Sequence, residues 1–288
     1  MPTPSFLSHI VPHPPKPPKP STSKAGRNLK VAIPTAIILL AIVAGSVMWK
    51  MEIFVVLAGL ALSYALWEAA GAFLVKQIRL PLLALLAINI AQIATTWFAG
   101  LAWGIVAGLI CWPLLTSAVF ISQGRKTTWK NVLTSLAVNV WITWLGCCAV
   151  ALAHMDRGAL MIALLVLMPV ANDVGGWAAG VMFGKHPLAP KISPKKSWEG
   201  LAGSLSLSVL VSWLFVGCVL QLSWAIITAV SLTAVVCSTG GDLIESVLKR
   251  KLGVKDMGSI FPGHGGMLDR LDSILMWAPL CYLIMVIA

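Results

Sequence analysis

Seven of the ten acidic residues in this chain, Asp173, Glu199, Asp242, Glu245, Asp256, Asp269 and Asp272, fall between positions 173 and 272. The densest stretch is PGHGGMLDRLDS, residues 262 to 273. Within it Asp269 and Asp272 stand three apart, on one face of a helix if the segment is helical. Asp242 follows Gly240 and Gly241, which let backbone come close to a ligand. Together Asp242, Asp269 and Asp272 offer the oxygen ligands that a hard divalent cation such as Mg2+ takes, commonly alongside substrate phosphates. The surroundings supply parts that would hold those phosphates. Lys249, Arg250, Lys251 and Lys255 bring positive charge. Gly263, His264, Gly265 and Gly266 offer backbone amides just before a helix start, where the dipole favours anions.

A second basic stretch, GKHPLAPKISPKKSWEG, covers residues 184 to 200. Two readings stand side by side. It is a positive loop against anionic lipid headgroups, or Lys195, Lys196 and Ser197 grip a phosphorylated headgroup or a nucleotide triphosphate. Three other acids have plainer readings: Glu245 pairs with Lys249 one turn on, Glu68 is a paired structural acid rather than an ion relay, and Asp173 fits either role.

The elements that must position these residues are membrane helices. The chain has 288 residues, is 58% hydrophobic and 11% charged, holds thirteen Trp, and has a mean hydropathy of +0.89. No single soluble core hides that much apolar surface. The apolar runs are about twenty residues long, as bilayer-spanning helices require, and lack the alternation of barrel strands. Nine spans are expected, near 31–49, 52–75, 80–98, 100–121, 131–153, 158–183, 201–220, 222–248 and 268–288. The fold class is all-α, a polytopic integral membrane protein.

Basic residues collect in cytoplasmic loops. With a cytoplasmic N-terminus, every Lys and Arg except Lys50 and Arg157 falls on the cytoplasmic side. The formal net charge of +11 is therefore a topology signal and not a footprint for nucleic acid. At a rise of about 1.5 Å per residue, Asp242 lies roughly 30 Å into its span and reaches the cytoplasmic edge, where Asp269 and Asp272 begin the last span and Asp173 also lies. Carboxylates so near hydrocarbon are costly unless paired, hydrated or bound to a cation.

All six cysteines, at 111, 147, 148, 218, 237 and 281, sit in apolar runs without metal-ligand spacing and read as packing residues. Residues 1–30 form a Pro-rich basic tail expected to be disordered and cytoplasmic. Residues 31–153 are expected to hold the N-terminal membrane helices, and 154–288 the catalytic membrane region. The physical reading ends at a Mg2+-dependent phosphoryl or nucleotidyl transfer site at the cytoplasmic face.

The run SVLKRKLGVKDMGSIFPGHGGMLDRLD, residues 246–272, resembles the signature of the phosphatidate cytidylyltransferases. Gly241-Asp242-Leu243 and LAPKISPKKSWEG, residues 188–200, resemble that family as well. The resemblance implies transfer of the cytidylyl group of CTP to phosphatidic acid, giving CDP-diacylglycerol and pyrophosphate. It implies metal-binding roles for Asp242 and Asp269, with Asp272 as a nearby third acid and a second cation possible beside Mg2+. By the same match Lys249 and Arg250 are the basic pair, His264, Gly265 and Gly266 the His-Gly-Gly turn, and Lys196, Ser197 and Glu199 part of a substrate element. Lys255 and Arg270 complete the expected substrate contacts. One departure is Asp173-Val174-Gly175-Gly176-Trp177, where the family pattern has Asp-Thr-Gly-Ala-Tyr. A homodimer in a prokaryotic inner membrane is implied too. Competing readings are a CTP-dependent lipid kinase, an ether-lipid cytidylyltransferase, or an ion-coupled transporter using Glu68, Asp173 and Asp242.

Overall fold

The computed structural model describes residues 12–15, 29–123, 129–190, 192–261 and 265–288. Among the described residues nine helices follow in order, each near an expected span: α1 Leu29–Trp49, α2 Met51–Leu74, α3 Leu82–Ala99, α4 Leu101–Gln123 and α5 Trp129–Ala153. Then come α6 Gly158–Phe183, strands β1 Pro187–Ala189 and β2 Ser193–Ser197, α7 Trp198–Val219, α8 Trp224–Leu252 and α9 Leu268–Ile287. Among the described residues, α2 to α9 are long and apolar enough to cross a bilayer, and α1 is apolar over the shorter Pro34–Trp49. Side chains such as Val56, Leu83, Ile90, Phe98 and Ile121 are more than three-fifths exposed. On a soluble protein they would be a liability, whereas here they form the surface that lipid covers. The chain is an integral membrane protein.

Two compact units make up the chain. The first contains the described residues of Met1–Val43, Val56–Trp144 and Lys249–Arg270. Some of its buried polar groups bond one another, as an apolar surround favours. Asn139 Nδ2 donates to Gln92 Oε1 at 3.1 Å, and Trp112 Nε1 donates to Asn139 Oδ1 at 3.3 Å. Asn139 begins a π-helical stretch, Asn139–Trp144, whose last residue stacks on Trp112 with ring centroids 5.3 Å apart. Such widened turns inside α-helices re-aim side chains, here toward Gln92 and Trp112.

The second unit contains Ala44–Val55, Leu145–Leu248 and Leu271–Ala288. Its centre is the α6–α7 pair. A Cβ on Gly175 would come within 2.5 Å of the Gly203 carbonyl oxygen, and one on Gly203 within 2.6 Å of that of Gly175. Only glycine lets the backbones meet so closely, the small-residue packing common between membrane helices. That contact accounts for Gly175 in the segment where the chain departs from the family pattern. Ser204 Oγ ties the helices by donating to the Asn172 carbonyl at 2.6 Å. Strands β1 and β2 pair antiparallel, Pro187 with Ser197 and Ala189 with Ser193, so the loop expected between the sixth and seventh spans is a short hairpin.

Candidate active site

In the second unit the hairpin delivers Lys196. Ser197 is the N-cap of α7, its Oγ accepting from the Gly200 amide at 3.0 Å, as hydroxyl caps do for orphan helix donors. Glu199, in the first turn, accepts from the His186 amide at 3.3 Å, and His186 Nδ1 lies 2.6 Å from its Oε1. The hairpin base is thus pinned to the helix start. Lys195 faces outward, while half-buried Lys196 places Nζ 2.6 Å from Asp242 Oδ2.

Asp242 and Glu245 stand three apart on α8, and one oxygen of each lies within 4.8 Å of the others and of one from Asp272 on α9. Glu245 is fully buried and Asp272 nearly so. The approach of the two helices depends on Gly241, where a Cβ would lie 2.7 Å from the Asp272 carbonyl oxygen. Ser273 Oγ donates to the Ser238 carbonyl at 3.1 Å and fixes the same contact. Close by in the chain fold, Asn172 accepts from Thr239 Oγ1 at 3.2 Å and donates to Asp173 at 3.3 Å, leaving Asp173 exposed.

In the first unit Asp269 organises a turn. Its Oδ2 accepts from the Gly266 amide at 2.7 Å and the Met257 amide at 3.0 Å, and its Oδ1 accepts from Lys249 Nζ at 2.9 Å. The turn closes as Phe261 and Gly265 exchange backbone hydrogen bonds of 2.9 and 3.2 Å, with Gly265 at φ +83°. A side chain is disfavoured at that φ, so glycine is required there. Arg270 is half-buried, and its Nε is buried without a hydrogen-bond partner among the described residues. Arg250 and Lys255 are exposed. His264 lies outside the described residues, as do Gly263 and Lys191.

The expected cation trio was Asp242, Asp269 and Asp272. The carboxylate grouping observed among the described residues instead unites Asp242, Glu245 and Asp272, while Asp269 is held by amides and Lys249. The sequence reading pairs Glu245 with Lys249 one turn on and leaves it out of the cation trio. Its i, i+3 spacing from Asp242 was the available signal, since it puts both acids on one helix face. All the donors are carboxylate oxygens, the chemistry a hard cation selects. Lys196 stands at ion-pair distance from the edge of the group, and buried carboxylates are costly unless paired or bound to a cation.

A model of the cytidylyltransferase family matches residues 30–288, and the chain belongs to that family. It is 32% identical over 285 residues to a phosphatidate cytidylyltransferase of Mycobacterium bovis, covering 93% of this chain and 92% of that one. It is 33% identical over 258 residues to the phosphatidate cytidylyltransferase of Pseudomonas aeruginosa, covering 87% and 94%. With the Helicobacter pylori phosphatidate cytidylyltransferase the identity rises to 45%, over 128 residues and 43% of this chain.

Proposed function

We propose that the protein transfers the cytidylyl group of CTP to phosphatidic acid, releasing pyrophosphate and leaving CDP-diacylglycerol in the membrane for phospholipid synthesis. The observation that carries this reading is the buried carboxylate group Asp242, Glu245 and Asp272 with Lys196 on its edge, in a chain matched by the cytidylyltransferase model from residue 30 to its end. The same lipid substrate is named for the relatives from M. bovis and P. aeruginosa.

The chemistry asks little of proton transfer. A phosphatidate oxygen, already anionic near neutral pH, attacks the α-phosphorus of CTP. A P–O bond forms there, and the bond to the β-phosphate breaks with its electron pair leaving on pyrophosphate. The difficulty is bringing two polyanions together and stabilising charge on the leaving group. Mg2+ is the proposed cation, which Asp242, Glu245 and Asp272 would hold. When bound it would draw charge from the phosphate oxygens. In the second unit Lys196 would meet a phosphate oxygen, and in the first Lys249 and Arg270 offer positive charge.

The proposed setting is a bacterial inner membrane with the site at the cytoplasmic face, where soluble nucleotide meets a lipid headgroup, and a homodimer as the assembled form. The test uses purified protein in mixed micelles with CTP, phosphatidic acid and Mg2+, following pyrophosphate and the lipid product together. The reading requires both in equal amounts and their loss on chelation. CDP released without pyrophosphate would make the protein a lipid kinase and overturn it.

A further inference from the structure

Glu68 lies on α2, remote in sequence from the signature, and is 2% exposed. Its Oε2 accepts from the amide of Leu268, the first residue of α9, at 2.9 Å. First-turn amides of a helix have no partner within the helix, so a buried start needs an outside acceptor. Oε1 accepts no hydrogen bond among the described residues. It rests instead against two glycines. A Cβ on Gly258 or on Gly266 would strike Glu68, and in both cases the three nearest atoms all belong to its carboxyl end. Neither glycine has the positive φ that Gly100, Gly253 and Gly265 have. Backbone conformation therefore does not call for glycine at 258 and 266, but room for this carboxylate does.

We propose that Glu68 is a positioning residue for the reaction: it holds the Leu268 amide and fills the space over Gly258 and Gly266, locking the turn whose amides hold Asp269. The link is direct, because Gly266 N–H is bonded to Asp269 Oδ2, and so is the amide of Met257, the neighbour of Gly258. An acid from the N-terminal half of the chain thus sets the orientation of a signature aspartate. The inference rests on the transferase reading for its kinetic effects, while its geometric core can be tested without it.

The experiment is a double-mutant cycle on the full-length protein in detergent, with Glu68→Ala, Gly258→Ala, the double variant and Glu68→Gln. Two readouts are taken, thermal unfolding without substrates and steady-state kinetics. Glu68→Ala is expected to lower kcat about 10- to 100-fold, the usual cost of losing an orienting partner, with the KM for CTP little changed. Glu68→Gln retains an acceptor for Leu268 and should recover most of that loss. Gly258→Ala should damage the parent, and its damage should largely vanish in Glu68→Ala, where the collision is gone; such non-additivity is the mark of direct contact. Independent effects in the cycle, or full activity in Glu68→Ala, would overturn the proposal. So would Glu68→Gln as inactive as Glu68→Ala, which would assign the role to charge. Should Glu68→Ala unfold, the cycle built on Glu68→Asp, whose shorter side chain withdraws from Gly258, carries the same decision beside the Glu68→Gln kinetics. If the parent makes no CDP-lipid, the transferase reading fails while the unfolding cycle still reports on the contact.

Discussion

Lys196 meets Asp242 at 2.6 Å in the second unit, and Lys249 meets Asp269 at 2.9 Å in the first. The pairs look alike on paper. Yet the Lys196 and Asp242 side chains are 24% and 35% exposed, against 14% and 3% for Lys249 and Asp269. Backbone makes the larger difference. Asp269 takes amide hydrogen bonds from Gly266 and Met257, so its position is part of the fold of the turn. Asp242 meets Lys196 and, at a longer 3.4 Å, Ser246 Oγ, and one of its oxygens lies within 4.8 Å of oxygens of Glu245 and Asp272. One pair is tied into the backbone of a turn, and the other joins two more exposed side chains.

The hardest test of that contrast is Asp269→Asn. It removes the charge facing Lys249 and disturbs the amide bonds, so turnover should nearly vanish, and thermal unfolding in detergent should show a loss on the order of 3 kcal/mol, as for other broken buried pairs. Full stability in this variant would erase the distinction. Asp242→Asn should cut kcat by at least about 100-fold and raise the Mg2+ concentration for half-activity, while the unfolding temperature barely moves. A large fall in stability would make Asp242 architectural too. Lys196→Ala should chiefly raise the apparent KM of one anionic substrate, by about tenfold, and an unchanged KM for both CTP and phosphatidic acid would return the hairpin to a topological role. The smallest effect is expected from Ser197→Ala. Loss of the cap costs about 1 kcal/mol, and the KM change should be a fraction of that for Lys196→Ala.

The nine helices were legible because a run of about twenty apolar residues in a bilayer leaves the backbone no other way to satisfy its hydrogen bonds. The sequence singles out Asp242, Lys196 and Asp269 by residue type and by the family resemblance, and the structure pairs Lys196 with Asp242 and Lys249 with Asp269. Other parts were not legible, for identifiable reasons. The hairpin hides in a Pro- and Lys-rich segment that reads as plain loop, and its strands are very short. The burial of Glu245 depends on α9 packing on α8 at Gly241, a contact between chain segments that periodicity does not encode. The amide bonds of Asp269 require the chain after Gly253 to fold back, and Glu68 reaches Leu268 across 200 positions. Local pattern sees helix faces but cannot see which distant backbone will supply a donor.

The backbone contact of α6 with α7 bears on how the sequence can drift over generations. Alanine is a single nucleotide from glycine and ordinarily a mild change in a helix, yet at Gly175 or Gly203 its methyl group would meet a carbonyl oxygen. At Gly45 nothing lies within 4 Å of the same methyl. In a library of all single substitutions under selection for growth, Gly175 and Gly203 should be depleted as severely as Asp242, for want of space rather than of chemistry, while Gly45 is free to vary.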